Sequence, residues 1–522
     1  MKYRETSIDG KLRDWFTKDL TKGLLRGIYL EAGALRGLIG PIKLEIDFPL
    51  LALAGKNGAG KSTLLALACC AYHNEASGYH QPKRNLPYYR FSDFFIQHPK
   101  ELSPEGISIM CGIAYDDWRK SETLPEGIGV GWQRQTKKEG GKWSDYDRRV
   151  PRNVVFLGID RIVPHAERGP SRSYSRVFKE SPPRGWEEKV RITVGKILGR
   201  TYDGFRYLGH SRYSLPIVTV GKTVYSGLNM GAGENALFEI FSVLHDCGQG
   251  ALMVIDEIEL GLHAEAQRKF ISELKKTCLE LHAQVICTTH SREIFEQLPK
   301  DARCFVETVN GKTKILTGIS PEYSFSKLSG VGSNELEILV EDDVAKSLLT
   351  AALPANLRTR TSISVIGSSK CLARQLAAAY ARKNKNSVLA VFDGDQRTEE
   401  GKLVEHARNM AEIAESEKGE FDEWIRGRIG YLPGSEWPEA WLMEAGEKVG
   451  DQIAALVGSD SDSVLEALTK GKNAGKHGEL HAAGKELGLE RESFLQITAS
   501  VVARNFPEAF AAVVKQIEML LD

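Results

Sequence analysis

The stretch Leu50-Leu51-Ala52-Leu53-Ala54-Gly55-Lys56-Asn57-Gly58-Ala59-Gly60-Lys61-Ser62-Thr63 decides how the first half of the chain folds. A short apolar run of strand character ends at a glycine-rich turn of the form G-x-x-x-x-G-K-[ST], and an apolar helical run from Thr63 to Cys70 follows. That strand, turn and helix context gives the motif its specificity. The glycines let successive backbone N–H groups turn inward, and the helix N-terminus adds a positive dipole end, so the loop is a cradle for phosphate. Asn57, Gly58, Ala59, Gly60, Lys61, Ser62 and Thr63 are therefore the expected ATP contacts, with Lys61 reaching the β and γ oxygens and Ser62 ligating Mg2+.

Two further strand-like runs share the pattern of that first strand. Ala251 to Ile255 ends in Asp256-Glu257, and Gln284 to Thr288 ends in Thr289-His290, with the helical stretch Ala264 to Leu281 between them. Apolar runs of this kind are central parallel strands buried on both faces, and the helix makes a βαβ unit. Asp256 is expected to hold Mg2+ through water and Glu257 to polarise the attacking water as a general base. Upstream, Leu228-Asn229-Met230-Gly231-Ala232-Gly233-Glu234-Asn235-Ala236-Leu237 resembles the signature of ABC ATPases followed by its helix. The resemblance implies that Gly231, Gly233 and Glu234 cap the ATP of a second copy, so that hydrolysis needs a homodimer or higher homo-oligomer, and that His290 is the switch residue sensing the γ-phosphate. Gly231 stands where that family usually has serine.

Balanced charge, 69 basic against 69 acidic residues, neither supports nor excludes nucleic acid; any contact must come from a local basic face. Candidates are Arg134 to Lys142, Arg148 to Arg152 and Arg168 to Arg176, with Trp132, Trp143 and Tyr174 interleaved, although such runs are usually solvated faces. A hydrophobic share of 42% marks a globular chain, and no run of about 18 apolar residues offers a membrane span, so a cytoplasmic protein with no membrane partner is expected. The eight cysteines show no metal spacing and sit in apolar runs, so they are expected to be reduced core residues. About 195 positions separate Lys61 from Asp256, which leaves room for an insertion within Pro87 to Pro216 that could mediate dimerisation, but not for long coiled-coil arms.

A second strand and helix alternation begins near Asn334, after a Ser/Gly/Pro-rich break over Thr317 to Gly332. Ile338-Leu339-Val340 ends at Glu341, and Val388 to Phe392 ends at Asp393-Gly394-Asp395; a strand Arg428 to Pro433 leads to Glu436. Further strand and helix runs are Ile363 to Ile366, Val344 to Ala352 and Lys370 to Arg382, with helical patterns over Val404 to Trp424 and from Val464 to the end. Acidic groups at the carboxyl ends of parallel strands converge on the ligand edge of an open α/β sheet, and clustered carboxylate oxygens suit Mg2+.

A glutamate after one strand and Asp-x-Asp after a later one resembles the Toprim fold of topoisomerases, primases and certain nucleases. With an ABC-type domain before it, and with Asp256-Glu257-Ile258-Glu259-Leu260-Gly261-Leu262-His263 as an extended acidic motif in which Ile258 replaces proline, the chain over roughly residues 25 to 520 is similar to the overcoming-lysogenization-defect (OLD) family of ATPase-nucleases. That family includes the Gabija A proteins and retron-associated relatives. The resemblance implies an α/β chain in two domains: an ABC-type (AAA) ATPase over 1–325 with its insertion, and a Toprim-like, Rossmann-like nuclease over 333–522 with a helical C-terminal part. It implies that Glu341, Asp393 and Asp395 hold Mg2+ or Mn2+, that Glu436 assists, and that a lysine, Lys476 in preference to Lys472, stabilises transition-state charge. A second acid usually follows the first glutamate by four positions; Ala345 stands there. The expected activity is ATP-regulated, metal-dependent endonucleolytic cleavage of DNA in anti-phage defence. Alternatives are a DNA-sensing ATPase with a non-catalytic scaffold and a nuclease acting on RNA, released by a partner protein or nucleoprotein from the same operon.

Overall fold

The structure is a computed structural model and describes residues 3–74, 78–82, 84–96, 98, 100–101, 106–137, 143, 148–309, 311–329, 335–381 and 387–521. The basic run beyond Lys137, the end of the expected linker at Gly330 to Gly332, Asn334 and Arg382 lie outside the described residues. The chain divides into two compact units, 2–329 and 330–522, each with its own core.

In the first unit a six-stranded sheet runs in the order Lys312–Thr317, Arg303–Val309, Leu50–Gly55, Gln284–Thr288, Leu252–Ile255, Val154–Leu157. All neighbours are parallel except the hairpin formed by the first two. Its strands are apolar on both sides because both sides are covered. Leu50, Ala52, Met253, Ile255 and Val285 enter one core with the helices Glu187–Leu198, Ala232–Cys247 and Ala264–Leu281. Leu51, Leu53, Leu252, Val254 and Ile286 enter a second core with the helix Lys61–Cys70. That helix is buried on nearly every side, since an antiparallel sheet in the order Ile42–Glu45, Lys22–Ala32, Ile107–Tyr115, Gly129–Lys137 closes over it. A smaller antiparallel sheet contains Thr223–Ser226, Tyr213–Val220, Gly204–His210 and Lys179–Glu180.

The stretch 87–216, expected as an insertion, does not stand apart from this scaffold. It supplies two strands of the antiparallel sheet, the edge strand Val154–Leu157 of the central sheet, and most of the small sheet. Of the basic run 148–152, Arg149 and Arg152 are likewise built into the core, while Arg148 is exposed. Arg152 is 6% exposed and donates to the carbonyls of Gly250 and Gly23, to Tyr72 Oη and to Gln284 Oε1, while Arg149 donates to the Cys70 carbonyl. A buried guanidinium is tolerated where its donors find acceptors. Trp143 stacks on Phe91 with ring centroids 3.7 Å apart, so it too belongs to the packing and not to a nucleic-acid face. Seven of the eight cysteines are buried.

The second unit holds a four-stranded, wholly parallel sheet in the order Thr361–Val365, Leu336–Val340, Ser387–Phe392, Ile429–Tyr431. Alternate residues face two cores. Ile338, Val340, Leu389 and Val391 pack on one side; Leu339, Val388, Ala390 and Phe392 pack on the other. Helices cover both faces, and the carboxyl part continues as Pro438–Glu447, Gly450–Val457, Ser461–Lys472, Glu479–Glu486, Arg491–Asn505 and Pro507–Leu521. Among the described residues no helix is long and apolar enough to cross a membrane.

Candidate nucleotide and carboxylate sites

The glycine-rich loop needs its glycines for backbone reasons. Gly58 and Gly60 have φ of 77° and 94°, in the left-handed region. A Cβ on Gly60 would also come within 2.3 Å of Leu38 Cδ2, because the loop rests on the Gly37-Leu38 turn. Lys61 is buried, and its Nζ donates to the carbonyls of Gly55 at 2.7 Å and Lys56 at 3.0 Å. Burial lowers its pKa, while the carboxylates of Asp256, Glu257 and Glu259 act in the opposite sense. Ser62 Oγ is 3.2 and 3.4 Å from the two oxygens of Asp256. A hydroxyl and a carboxylate this close fit an oxygen-liganded Mg2+. Thr63 is placed otherwise than expected, since its hydroxyl donates to the Arg36 carbonyl at 2.7 Å and buttresses the loop.

Two residues given no role by the motifs, Thr288 and Arg161, hold the acidic pair in place, and Glu259 holds the histidine beside it. Thr288 Oγ donates to Asp256 Oδ1 and accepts the Glu257 N–H at 2.7 Å. The buried Arg161 guanidinium donates to the carbonyls of Asp256, at 2.7 Å, and of Glu257. Glu257 is thus gripped on both sides of a backbone at φ 49°, an unusual conformation for a non-glycine residue. Its carboxylate has no hydrogen-bond partner among the described residues and is free to polarise a water. Glu259 accepts from Thr289 Oγ1 at 2.7 Å and from the His290 N–H at 2.6 Å, which fixes the half-buried histidine at the end of the adjacent strand. Glu259 lies in the quoted acidic motif and could have been found there; Arg161, in Gly158-Ile159-Asp160-Arg161, carries no local signal.

Gly231 is the N-cap of Ala232–Cys247, and a Cβ there meets nothing within 4 Å. Gly233 is different, because its Cβ would lie 2.0 Å from the Gly261 carbonyl oxygen. The signature turn therefore packs directly on the loop that follows the acidic pair. Glu234 Oε1 accepts from Tyr202 Oη and Tyr225 Oη, both at 2.7 Å, with Arg200 3.6 Å away. Its carboxylate is thus held by hydrogen bonds from its own chain.

In the second unit, neighbouring parallel strands with Val340 opposite Val391 bring Glu341 beside Asp393. Glu341 Oε1 and Asp393 Oδ1 are buried without hydrogen-bond partners. Burial pushes the Asp393 pKa up to about 8, reinforced by Glu341, Asp342, Asp395 and Glu439. Burial likewise raises Glu341 to about 6, with backbone donors at Asp393 and Ser369 opposing and Asp395 and Asp342 adding to the rise. Lys476 Nζ lies 3.8 Å from the Asp395 carboxylate and 5.0 Å from the Trp437 ring centroid, whereas Lys472 pairs with Glu447. Gly394 allows the Asp393-Gly394-Asp395 turn to press on Gly434, whose carbonyl oxygen a Cβ would meet at 2.4 Å.

Glu436 is not part of this group. It is exposed ahead of the helix Pro438–Glu447, and the carboxylate that acts on Asp393 is Glu439, buried in that helix's first turn and contacted by His477 at 3.2 Å. Ala345 is buried and its N–H is capped by Asp342, so Asp342, not the fourth position, is the extra acid at Glu341. Orphaned, mutually repelling carboxylate oxygens are the donor chemistry a divalent cation takes. Among the described residues, however, no three His, Cys, Asp or Glu side chains already converge as a ligand cage.

The first unit is a mixed α/β domain in which the glycine-rich loop and the acidic pair both follow strands of one largely parallel sheet. A family model described as "AAA domain, putative AbiEii toxin, Type IV TA system" matches residues 222–296, the segment running from the small sheet through the signature turn and acidic pair to His290. Comparison with curated proteins finds no match. Solved structures with similar folds include an SMC head domain from Thermotoga maritima, at 15% identity over 56% of this chain and 98% of that one, with a TM-score of 0.34. An SMC head with an extended coiled coil, bound to the C-terminal domain of ScpA derived from Pyrococcus furiosus, matches at 13% identity over 59% and 99%, with a TM-score of 0.35. The C-terminal region of the OLD protein of Xanthomonas campestris pv. campestris matches at 14% identity over 36% of this chain and 96% of that one, with a TM-score of 0.24. All three likenesses are distant.

Proposed function

We propose that the protein is an ATP-gated, divalent-metal-dependent endonuclease acting on DNA. In the first unit Glu257 polarises water for attack on the γ-phosphate of ATP, Lys61 balances phosphate charge, and two copies of the chain close on the nucleotide. Ser62 and Asp256 would hold Mg2+, which when bound supplies neutralisation of phosphate charge. In the second unit Glu341, Asp393 and Asp395 would hold Mg2+ or Mn2+, which when bound supplies an activated water and charge neutralisation at the leaving oxygen. Asp342 and Glu439 keep that pocket acidic, and Lys476 places a positive charge where the scissile phosphate gathers negative charge. The observation that carries the nuclease reading is the pair of buried, partnerless oxygens on Glu341 and Asp393 beside a lysine 3.8 Å from Asp395. Defence against phage or other mobile DNA follows from the motif resemblance to the OLD family.

The test is cleavage of supercoiled and linear DNA with Mg2+ or Mn2+, with and without ATP, by the wild type, Asp393→Ala/Asp395→Ala and Lys61→Ala. Cutting lost in the double variant supports the nuclease, and Lys61→Ala reports how ATP gates it. A second reading, a DNA-sensing ATPase whose second unit is a scaffold, is favoured by the lack of a preformed three-ligand cage among the described residues. ATP hydrolysis without cleavage of DNA or RNA would favour it, or call for a partner that releases the nuclease.

A further inference from the structure

The small antiparallel sheet of the first unit carries a surface that the nucleotide site does not use. Gly204–His210 and Tyr213–Val220 form a tight hairpin in which His210 is paired directly with Tyr213 across the two-residue turn Ser211-Arg212. Ser211 adopts φ 52°, the left-handed conformation such a turn requires, and the turn thrusts Arg212 outward. Tyr174, at the end of the short helix Gly169–Ser173, lies against both flanking rings. Its centroid is 4.6 Å from His210 and 6.1 Å from Tyr213, the latter nearly parallel at 25°. Phe178 meets His210 from the side at 6.1 Å, and the Arg212 guanidinium sits 5.6 Å from the Tyr213 ring centroid. Four aromatic rings are thereby gathered at one hairpin tip, and Tyr174 remains 41% exposed.

Cations without acidic partners accompany these rings, while Glu180, the acid that follows Lys179 on its strand, is paired with Arg206. Arg172, Arg176, Lys179 and Arg212 are exposed, and none makes an ion pair among the described residues. A second exposed aromatic, Trp132 on the edge strand Gly129–Lys137, offers a contrast: the cations near it, Arg134 and Lys43, are bound to Glu31 and Glu45. Uncompensated cations beside exposed, stackable rings have a specific complement. Phosphates neutralise the cations, and unpaired bases continue the ring stack, as on single-strand binding surfaces. A duplex keeps its bases inside and could use only the charges.

The geometry points to a docking surface for single-stranded nucleic acid at the 174/210/213 hairpin tip. Bases stack on Tyr174 and Tyr213 while Arg172, Arg176, Lys179 and Arg212 follow the backbone. The surface deepens the nucleic-acid reading above and rests on it, but its occupancy can be measured in EDTA, where the carboxylate site is idle. Failure of cleavage and failure of binding are then separate results.

The probe is a fluorescein-labelled dT 20-mer, titrated by polarisation against the full chain in EDTA, with a blunt duplex of equal length as comparator. Tyr174→Ala/Tyr213→Ala should weaken single-strand binding about tenfold or more for the pair. Tyr174→Phe/Tyr213→Phe should retain it, since the rings remain, and Arg176→Gln/Arg212→Gln should reduce the slope of log affinity against log salt by about 1.4. Thermal midpoints within a degree or so of wild type confirm that each variant is folded; if the alanine pair misfolds, the arginine pair and the phenylalanine pair still decide. The proposal is overturned if the wild type does not bind the 20-mer, if ring removal leaves affinity unchanged, if the phenylalanine pair falls as far as the alanine pair, or if the duplex binds equally well and loses as much.

Discussion

Asp393→Asn should make the second unit more stable in the absence of metal, and increasingly so as pH rises. In the folded chain the Asp393 pKa is raised from 3.8 to about 8 by burial and by four neighbouring carboxylates. An acid whose folded pKa is raised binds more protons folded than unfolded, so stability falls as pH climbs from about 4 to about 8 and the full penalty stands above that range. Four units correspond to about 5 kcal/mol at 1.36 kcal/mol per unit. Asp393 is partly open to solvent, and screening reduces the figure to roughly 2–3 kcal/mol. Asparagine removes the charge from a site where Oδ1 has no bond to lose. For a unit of this size the gain is about 5–10 °C in thermal midpoint at pH 8. About a third of that should remain at pH 5, where the folded aspartic acid is already neutral. Differential scanning fluorimetry in EDTA at the two pH values reads it, and added Mg2+ should raise the wild-type midpoint more than the variant's. An asparagine variant no more stable than wild type at pH 8, or equally advantaged at both pH values, would refute the electrostatic account of this site.

Glu257→Gln should lower ATP turnover about 10²- to 10⁴-fold while leaving nucleotide binding intact, and should accumulate an ATP-dependent dimer visible by size-exclusion chromatography. A chain that stays monomeric with ATP would contradict closure between copies. Gly233→Ala forces a Cβ to within 2.0 Å of the Gly261 oxygen and should cost about 3 kcal/mol, whereas Gly231→Ser enters open space and should leave the thermal midpoint unchanged. Arg152→Met removes the buried hydrogen bonds to Gly250, Gly23, Tyr72 and Gln284 and should lower stability by about 3 kcal/mol in urea titration; a loss under 1 kcal/mol would mean that those bonds are dispensable.

The parts of the fold legible in the sequence were those written locally. Ala264–Leu281 begins and ends where periodicity put it, because His263 caps its start and His282, in the left-handed region, closes it. The parallel strands were legible because burial on both faces leaves unbroken apolar runs. The antiparallel sheet was not, since Lys22–Ala32 pairs with Ile107–Tyr115 some eighty residues away and no local period records that distance. Arg149 and Arg152 read as surface charge because sequence shows the guanidinium but not the carbonyls that satisfy it. Glu436 illustrates the same limit at the site: it is the first carboxylate after the last strand, but the chain turns inward only at Pro438, and the buried acid is Glu439.

The two sites share a construction and differ in charge balance. In each, a parallel strand delivers an acid to the carboxyl edge of the sheet, beside residues at the end of the neighbouring strand. Asp256 and Glu257 face Lys61, a buried cation fixed by its own loop, and Thr288 and Arg161 brace their backbone. Beside Glu341 and Asp393 the recorded cation contact is that of Lys476, half exposed, with Asp395. The nucleotide site is therefore held in working geometry by the chain itself. The carboxylate site gathers repulsion that a divalent cation would relieve, which would couple cation binding to ordering of that site, so the thermal response of the second unit to Mg2+ is the physical quantity that separates a metal-using centre from an inert scaffold.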